Sequence, residues 1–302
     1  MLDAIVWFFT NLVLGFWYLI QALINPSLWL DWSNPEAVMR VVYYGASPEL
    51  FFVILDILIV LIVCGLIWRR FAWGVVRVLE GFANGVGRIA AWAGLLMVLQ
   101  QIVIIWMQRI FTSSEISLGF GTAFTRDVSW WSEELKLYNA MIVALCVSYT
   151  FVQKGHVRVD LVYAALGFRA KRVIDMIGTV LFMMPFAVLV WLYGWFFLWR
   201  HLIVPKPSAS EGLDRLLAKA RAFKWNVETI GFSPNGFDAY FLFKVLLVLF
   251  ALLVWLQAIA FLFRSYLEFV EGPESEDKYL DRDTLDDSEA AIEASGHEGE
   301  AV

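Results

Sequence analysis

The chain has 302 residues, of which 60% are hydrophobic and only 17% are charged, and its mean hydropathy is +0.68. An ordinary soluble domain has about 45–50% apolar and about 25% charged residues, so this composition excludes that class and indicates a membrane protein. The formal net charge of −6 also excludes a strongly basic, nucleic-acid-binding protein. The charge is unevenly spread, because residues 264–302 hold 3 basic and 13 acidic residues.

Six segments are long and apolar enough to cross a hydrocarbon core about 30 Å thick, which takes roughly 20 helical residues. The runs are continuous rather than alternating, and a lipid-embedded segment must satisfy its own backbone, so each is predicted to be a helix. The predicted fold class is an all-α polytopic membrane helix bundle with about six transmembrane helices. The segments are residues 4–24, 50–68, 89–108, 136–153, 173–199 and 240–263.

The pattern of apolar and polar stretches predicts four parts. Residues 1–70 contain two amino-terminal transmembrane helices, and residues 71–88 form an interfacial amphipathic helix with arginines opposite its apolar side. Residues 89–265 form a four-helix membrane domain. Residues 266–302 are too acidic and polar to bury much apolar surface, so we expect a disordered tail.

The basic residues predict an orientation. Segments 69–88 and 154–172 are rich in Lys and Arg and are expected on the cytoplasmic side, which places both termini there. Loop 200–239 is then external, although it carries six basic residues. Within it, residues 210–224 predict a second amphipathic helix. That helix is either a surface helix lying on the bilayer or a docking element for an extracytoplasmic partner.

Few residues point to chemistry inside the membrane. Asp56 is the one carboxylate well within a predicted span, and it either bonds to a neighbouring helix or coordinates an ion. No phosphate loop, metal cluster or nucleophile motif is present in the sequence, and no histidine lies in the middle of a span. The sequence therefore predicts neither an enzyme nor a bound cofactor.

Two motifs flank the fourth predicted span. The first, Trp-Ser-Glu-Glu-Leu, starts at Trp131 and suits an anchored helix start or a contact with a partner subunit. The second is a basic turn, Gly-His-Val-Arg-Val-Asp, that follows the span. The candidate structural or interface residues are Trp131, Glu133, Glu134, Gly155, His156, Arg158 and Asp160.

At this separation, the two motifs resemble the small membrane subunit (Q-type, DctQ-like) of tripartite ATP-independent periplasmic transporters, or TRAP transporters. That family typically has a Trp-x-Glu-Glu-like start to its second helix, followed by a Gly-His-Ile/Val-Arg-Val-Asp turn. Its members usually have four spans, which residues from about 87 to 265 supply. The two amino-terminal spans, the acidic tail and the long loop 200–239 depart from the family pattern.

The resemblance implies a function. The chain is expected to be a non-catalytic scaffold subunit in a bacterial or archaeal inner membrane, beside a large M-type membrane subunit, a periplasmic substrate-binding protein and membrane lipids. The large subunit is expected to bind sodium and to import organic acids or related solutes. The residues alone leave two alternatives open: a self-sufficient channel or carrier using Asp56, and a membrane subunit of a redox complex.

Overall fold

The computed structural model describes residues 2–119, 124–154, 163, 165–231 and 233–281. These residues are mostly α-helical, and five helices among them are long and apolar enough to cross a membrane. The all-α, polytopic membrane fold predicted from the sequence is therefore confirmed.

The amino-terminal part forms four helices, two of them long. The short helix α3 begins after Asn34, whose side chain accepts a hydrogen bond from the backbone N–H of Glu36 at 2.9 Å. Helix α4 begins after Ser47, which caps Leu50 in the same way at 3.3 Å. In both, a proline occupies the first turn, where its missing N–H costs nothing. The helices are α1 (Leu2–Ile24), α2 (Ser27–Leu30), α3 (Pro35–Tyr44) and α4 (Pro48–Ile67).

Helix α5 (Arg69–Arg109) is a single helix of 41 residues. At 1.5 Å per residue it is about 61 Å long, roughly twice the thickness of a bilayer core. The predicted interfacial helix 71–88 and the predicted span 89–108 are thus continuous. The glycines in the first half do not interrupt the helix, because Ala72, Trp73 and Val76 are buried against neighbouring helices and hold it.

After a hairpin of β1 (Glu115–Leu118) and β2 (Phe124–Asp127), the chain forms α6 (Val128–Leu145) and α7 (Val147–Val152). These two helices occupy the predicted span 136–153, and they are separated by a bend at Cys146. Two hydroxyl groups after the bend donate hydrogen bonds to backbone oxygens. Ser148 donates to the oxygen of Leu253, and Thr150 donates to the oxygen of Cys146. Such bonds compete with a regular helical ladder.

The next long segment is interrupted by one wide turn. It consists of α8 (Phe168–Gly178), a π-helical turn (Thr179–Met183) and α9 (Met184–Trp199). A loop follows that contains a short antiparallel pair, β3 (Ile203–Val204) with β4 (Lys224–Trp225), and between them α10 (Leu213–Lys219) and a 3₁₀ turn (Ala220–Ala222).

This loop packs against the amino-terminal helix α3. Met39 and Val42 of α3 are buried together with Ile203 and Leu216 of the loop. The indole N–H of Trp195 donates to the backbone oxygen of Val42 at 3.0 Å. Two features outside the family pattern, the extra amino-terminal region and the long loop, therefore form one apolar cluster. We call this end of the bundle the loop end.

Helix α11 (Phe241–Glu271) is the central helix, and half of its most apolar stretch is buried. It extends six residues past the predicted domain boundary at 265 and ends at Gly272, whose φ of +93° suits glycine. A 3₁₀ turn (Pro273–Ser275) follows, and residues up to 281 contact the bundle. The remainder of the predicted tail lies outside the described residues.

Candidate functional site

The predicted outer motif lies at the start of α6, which is capped by Asp127. The Asp127 carboxylate accepts a hydrogen bond from the backbone N–H of Ser129 at 2.7 Å, and this bond holds the pKa of Asp127 below its ordinary value. The negative charge also lies at the positive end of the helix dipole. The helix start is therefore fixed by its own residues.

The first glutamate of the motif binds a distant loop of the same chain. The Glu133 carboxylate accepts a hydrogen bond from the backbone N–H of Phe237 at 2.9 Å. A Cβ at Gly236 would overlap that carboxylate, so the close approach depends on glycine. One helical turn earlier, the indole N–H of Trp130 donates to Asp238 at 3.1 Å. Together these bonds join α6 to residues 236–238.

The second glutamate binds α5. The amide of Gln100 donates to the Glu134 carboxylate at 3.1 Å and to the backbone oxygen of Trp131 at 3.0 Å. The Trp131 ring packs on the buried cluster of Ile104, Ile116 and Val128, and its indole N–H has no hydrogen-bond partner among the described residues. All three predicted residues of this motif thus contact parts of the chain itself.

The second predicted motif is not described by the structure: Gly155, His156, Arg158 and Asp160 lie outside the described residues. The residue before it, Lys154, forms an ion pair with Asp277. The predicted roles of the four turn residues stay predictions.

Asp56 lies where α4 crosses α1. Its side chain is 2% exposed, and no described residue forms a hydrogen bond with its Oδ2. A Cβ at Gly15 would overlap Oδ2, which shows how closely α1 covers the carboxylate. Within the described part of the chain, no group of three or more His, Cys, Asp or Glu side chains is placed to hold a metal ion.

A buried ion network that the sequence reasoning missed joins α5, α8 and α11. Arg264 binds Glu80 with two hydrogen bonds of 2.6 Å each, and both side chains are 7% exposed. Arg264 also lies 3.5 Å from Glu268, one turn further along α11. Glu268 in turn pairs with Arg172 of α8 at 2.7 Å. The four-residue spacing of Arg264 and Glu268 could have predicted their own contact from the sequence. The contacts with Glu80 and Arg172 could not be predicted, because only the fold brings those residues close.

The segment after α11 extends this network across what we call the charged end of the bundle. Glu276 accepts from Arg172 at 2.9 Å, and Lys278 donates to Glu271 at 3.3 Å. Asp281 accepts from Arg88 at 3.0 Å. These contacts are the reason that part of an acidic, polar segment packs against the helices.

At the loop end, a second buried cation was also missed. Lys244, in the first turn of α11, is 3% exposed, and its ammonium lies 2.7 Å from His201 Nε2 and 3.6 Å from the centre of the Phe197 ring. His201 lies 3.3 Å from Glu228.

In the same loop, Lys219 donates to Glu211 at 2.7 Å, and this bond lowers the pKa of Glu211.

Comparison with known proteins gives one match. The family model described as "Tripartite ATP-independent periplasmic transporters, DctQ component" matches residues 118–213, about a third of the chain. The matched region runs from β1 to the start of α10, and it includes both sequence motifs. No curated protein and no solved structure matches the chain.

Proposed function

We propose, from the match of residues 118–213 to the DctQ components of TRAP transporters, that this chain is a non-catalytic scaffold subunit that holds a larger transporting subunit in the bilayer. The family and the apolar helices together imply a multi-pass protein of the inner membrane. Orientation, with both termini in the cytoplasm, is part of the proposal.

The observation that carries the proposal is the use of the motif glutamates. In the family-matched region, Glu133 binds the backbone at Phe237 and Glu134 binds Gln100, so both carboxylates hold elements of this chain together. Groups that bind a transported solute or ion must be able to exchange partners. Carboxylates committed to the chain's own backbone and amides fit a rigid support better.

The large membrane subunit is proposed to pack on the open side of α5. Gly74, Gly81 and Gly85 recur at helical spacing there, and a Cβ added at any of them would meet no atom within 4 Å. Val78, between the first two glycines, is 70% exposed. Small residues on one helix side let a second helix approach closely.

Sodium, the transported organic acid and the selecting pocket are assigned to the large subunit, and solute delivery to a periplasmic binding protein. The loop end is the proposed contact for that binding protein. Arg200, Arg215, Arg221 and Lys224 are exposed there, and a basic surface attracts an acidic partner. This extends the docking interpretation of residues 210–224.

The experiment is co-expression with the large subunit, followed by purification through a tag on this chain and solute uptake in proteoliposomes. We expect the large subunit to co-purify and uptake to require both proteins and the binding protein. The second candidate function, a self-sufficient carrier, is favoured by the buried Asp56 oxygen, which has no hydrogen-bond partner in the part of the chain that the structure describes. Uptake by this chain alone, lost in Asp56→Ala, would establish that candidate and overturn the proposal.

Gly81→Leu is expected to reduce recovery of the large subunit at least tenfold. The leucine fills open space, so the isolated chain should keep its helix content and its thermal stability. Gly212→Leu is the matched control: it adds the same side chain at a glycine that is equally open, but at the loop end, away from α5. If the two variants recover the large subunit equally well, the α5 interface is refuted.

A further inference from the structure

A polar cavity of about 290 Å³ lies at the charged end, between α5, α7, α8 and α11. Its lining carries both signs of charge. Lys154, Lys171, Arg172 and Arg264 contribute positive charges, and Glu80, Glu268 and Glu276 contribute negative ones. The known role of the ion network, to join helices, does not account for the open volume beside it.

Two buried polar groups line this cavity without a hydrogen-bond partner. Gln257 is 3% exposed and Ser265 is 1% exposed, and neither the amide oxygen of Gln257 nor the hydroxyl of Ser265 has a partner among the described residues. A buried polar group that bonds to nothing costs free energy, so such groups usually bind a ligand or water.

Lys171 carries a charge that has no ion-pair partner among residues 2–119, 124–154, 163, 165–231 and 233–281. Its ammonium lies 5.4 Å from the centre of the Tyr163 ring, and within the described ranges it forms no ion pair. The other cations of the lining have carboxylate partners, for example Arg172 with Glu276 and Arg264 with Glu80. Lys171 is therefore the group best able to receive a negative charge from a bound molecule.

The cavity continues into an apolar groove of about 310 Å³. Phe151, Tyr163 and Phe261 line both spaces. The groove follows α8 and the π-helical turn towards the middle of the bundle, past Gly178 and Met183. At Gly178 a Cβ would meet no atom within 4 Å, so the groove is unfilled at that point. A polar cavity at the end of the helix bundle thus adjoins an open, mainly apolar groove along α8.

We propose that this joined space binds one phospholipid of the phosphatidylethanolamine class. The phosphate binds Lys171, and the ammonium of the head binds the half-exposed carboxylate of Glu276. The glycerol and ester groups bond to Ser265 and Gln257, and an acyl chain lies in the groove beside Gly178. A lining of mixed sign favours a head of mixed sign over one that is only anionic. The lipid would fill the space between α7, α8 and α11 and stiffen their packing.

The test is native mass spectrometry of the purified chain, delipidated in detergent and titrated with four probes. These are phosphatidylethanolamine, phosphatidylglycerol, phosphatidylcholine and glycerophosphoethanolamine, the same head without acyl chains. We expect one phosphatidylethanolamine per chain, bound at least tenfold more tightly than the other three. Equal retention of all three lipids, or equal binding of the head without chains, would overturn the proposal.

Two variants test the two parts of the site. Gly178→Leu should block the groove and Lys171→Ala should remove the phosphate ligand, and each is expected to weaken phosphatidylethanolamine binding at least tenfold. Gly81→Leu on α5 is the control and should bind like the unmodified chain. If Gly178→Leu does not fold, Lys171→Ala decides the matter, since unchanged binding by that folded variant also refutes the proposal.

Discussion

Replacing Arg264 by alanine should destabilise the isolated chain by about 3–5 kcal/mol, the largest loss expected from any single substitution at the charged end. The Arg264 side chain is 7% exposed, and it binds both oxygens of Glu80 and lies next to Glu268. Without it, the buried Glu80 carboxylate loses its cation, and Glu268 keeps only Arg172. The measurement is the free energy of unfolding in mixed detergent micelles.

The control is Arg88→Ala. Arg88 also joins α5 to the segment after α11, through Asp281, but its side chain is 44% exposed. Water screens such an ion pair, so we expect Arg88→Ala to lower the free energy of unfolding by about 1 kcal/mol or less. Arg264→Lys should fall between the two variants, because lysine keeps the charge but cannot bind Glu80 with a planar fork. If Arg264→Ala lowers the free energy of unfolding no more than Arg88→Ala does, burial does not make the Arg264 ion pair the stronger one.

Gly87→Ala should destabilise the chain by about 1–3 kcal/mol, although alanine is the better helix former. A Cβ at Gly87 would overlap the Cβ and Cγ atoms of Tyr149 on α7. The Cβ position of Tyr149 is set by the backbone, so a rotamer change cannot move that atom away. The two helices must separate, and the bond between Cys146 and the backbone oxygen of Gly87 would lengthen from 3.6 Å.

Gly85→Ala provides the comparison for this variant. It lies two residues away on the same helix, and a Cβ there would meet no atom within 4 Å. Its free energy of unfolding should stay the same or rise by up to about 1 kcal/mol, from the better helix propensity alone. Equal effects of the two alanines would mean that the contact between α5 and α7 is looser than the structure indicates.

Hydropathy alone was enough to predict the fold class, because a long apolar run in lipid has only the helix available to it. It was less able to place helix ends. The glycines and arginines of 69–88 suggested a separate interfacial element, whereas buried contacts of Trp73 and Val76 keep α5 continuous. The bend at Cys146 was equally hidden: the apolar run is continuous there, and the nearby bond from Ser148 to the Leu253 carbonyl of α11 joins positions 105 residues apart.

The two motifs were enough to suggest the family whose model matches residues 118–213, since their spacing is a local property. The strongest polar interactions are not local. Glu80 and Arg264 are 184 positions apart, and each alone resembles an ordinary charge near a membrane surface. Lys244 was likewise included in a predicted span, and only the folded loop brings His201 to it. Pairings of this kind become visible when the helices are placed side by side.

The cluster at the loop end has a consequence for how the protein is made. Val38 and Met39 of α3 are buried by residues such as Leu216, which the ribosome adds more than 170 positions later. At a synthesis rate of roughly 5–20 residues per second, roughly 10–35 s pass between the synthesis of α3 and the synthesis of the residues that bury it. During that interval its apolar side chains need the lipid surface or a chaperone. A polypeptide truncated before residue 213 would keep the contacts from Trp199 and Ile203 but would lack the cover from Leu216, and we expect membrane quality-control proteases to degrade it faster than the full chain.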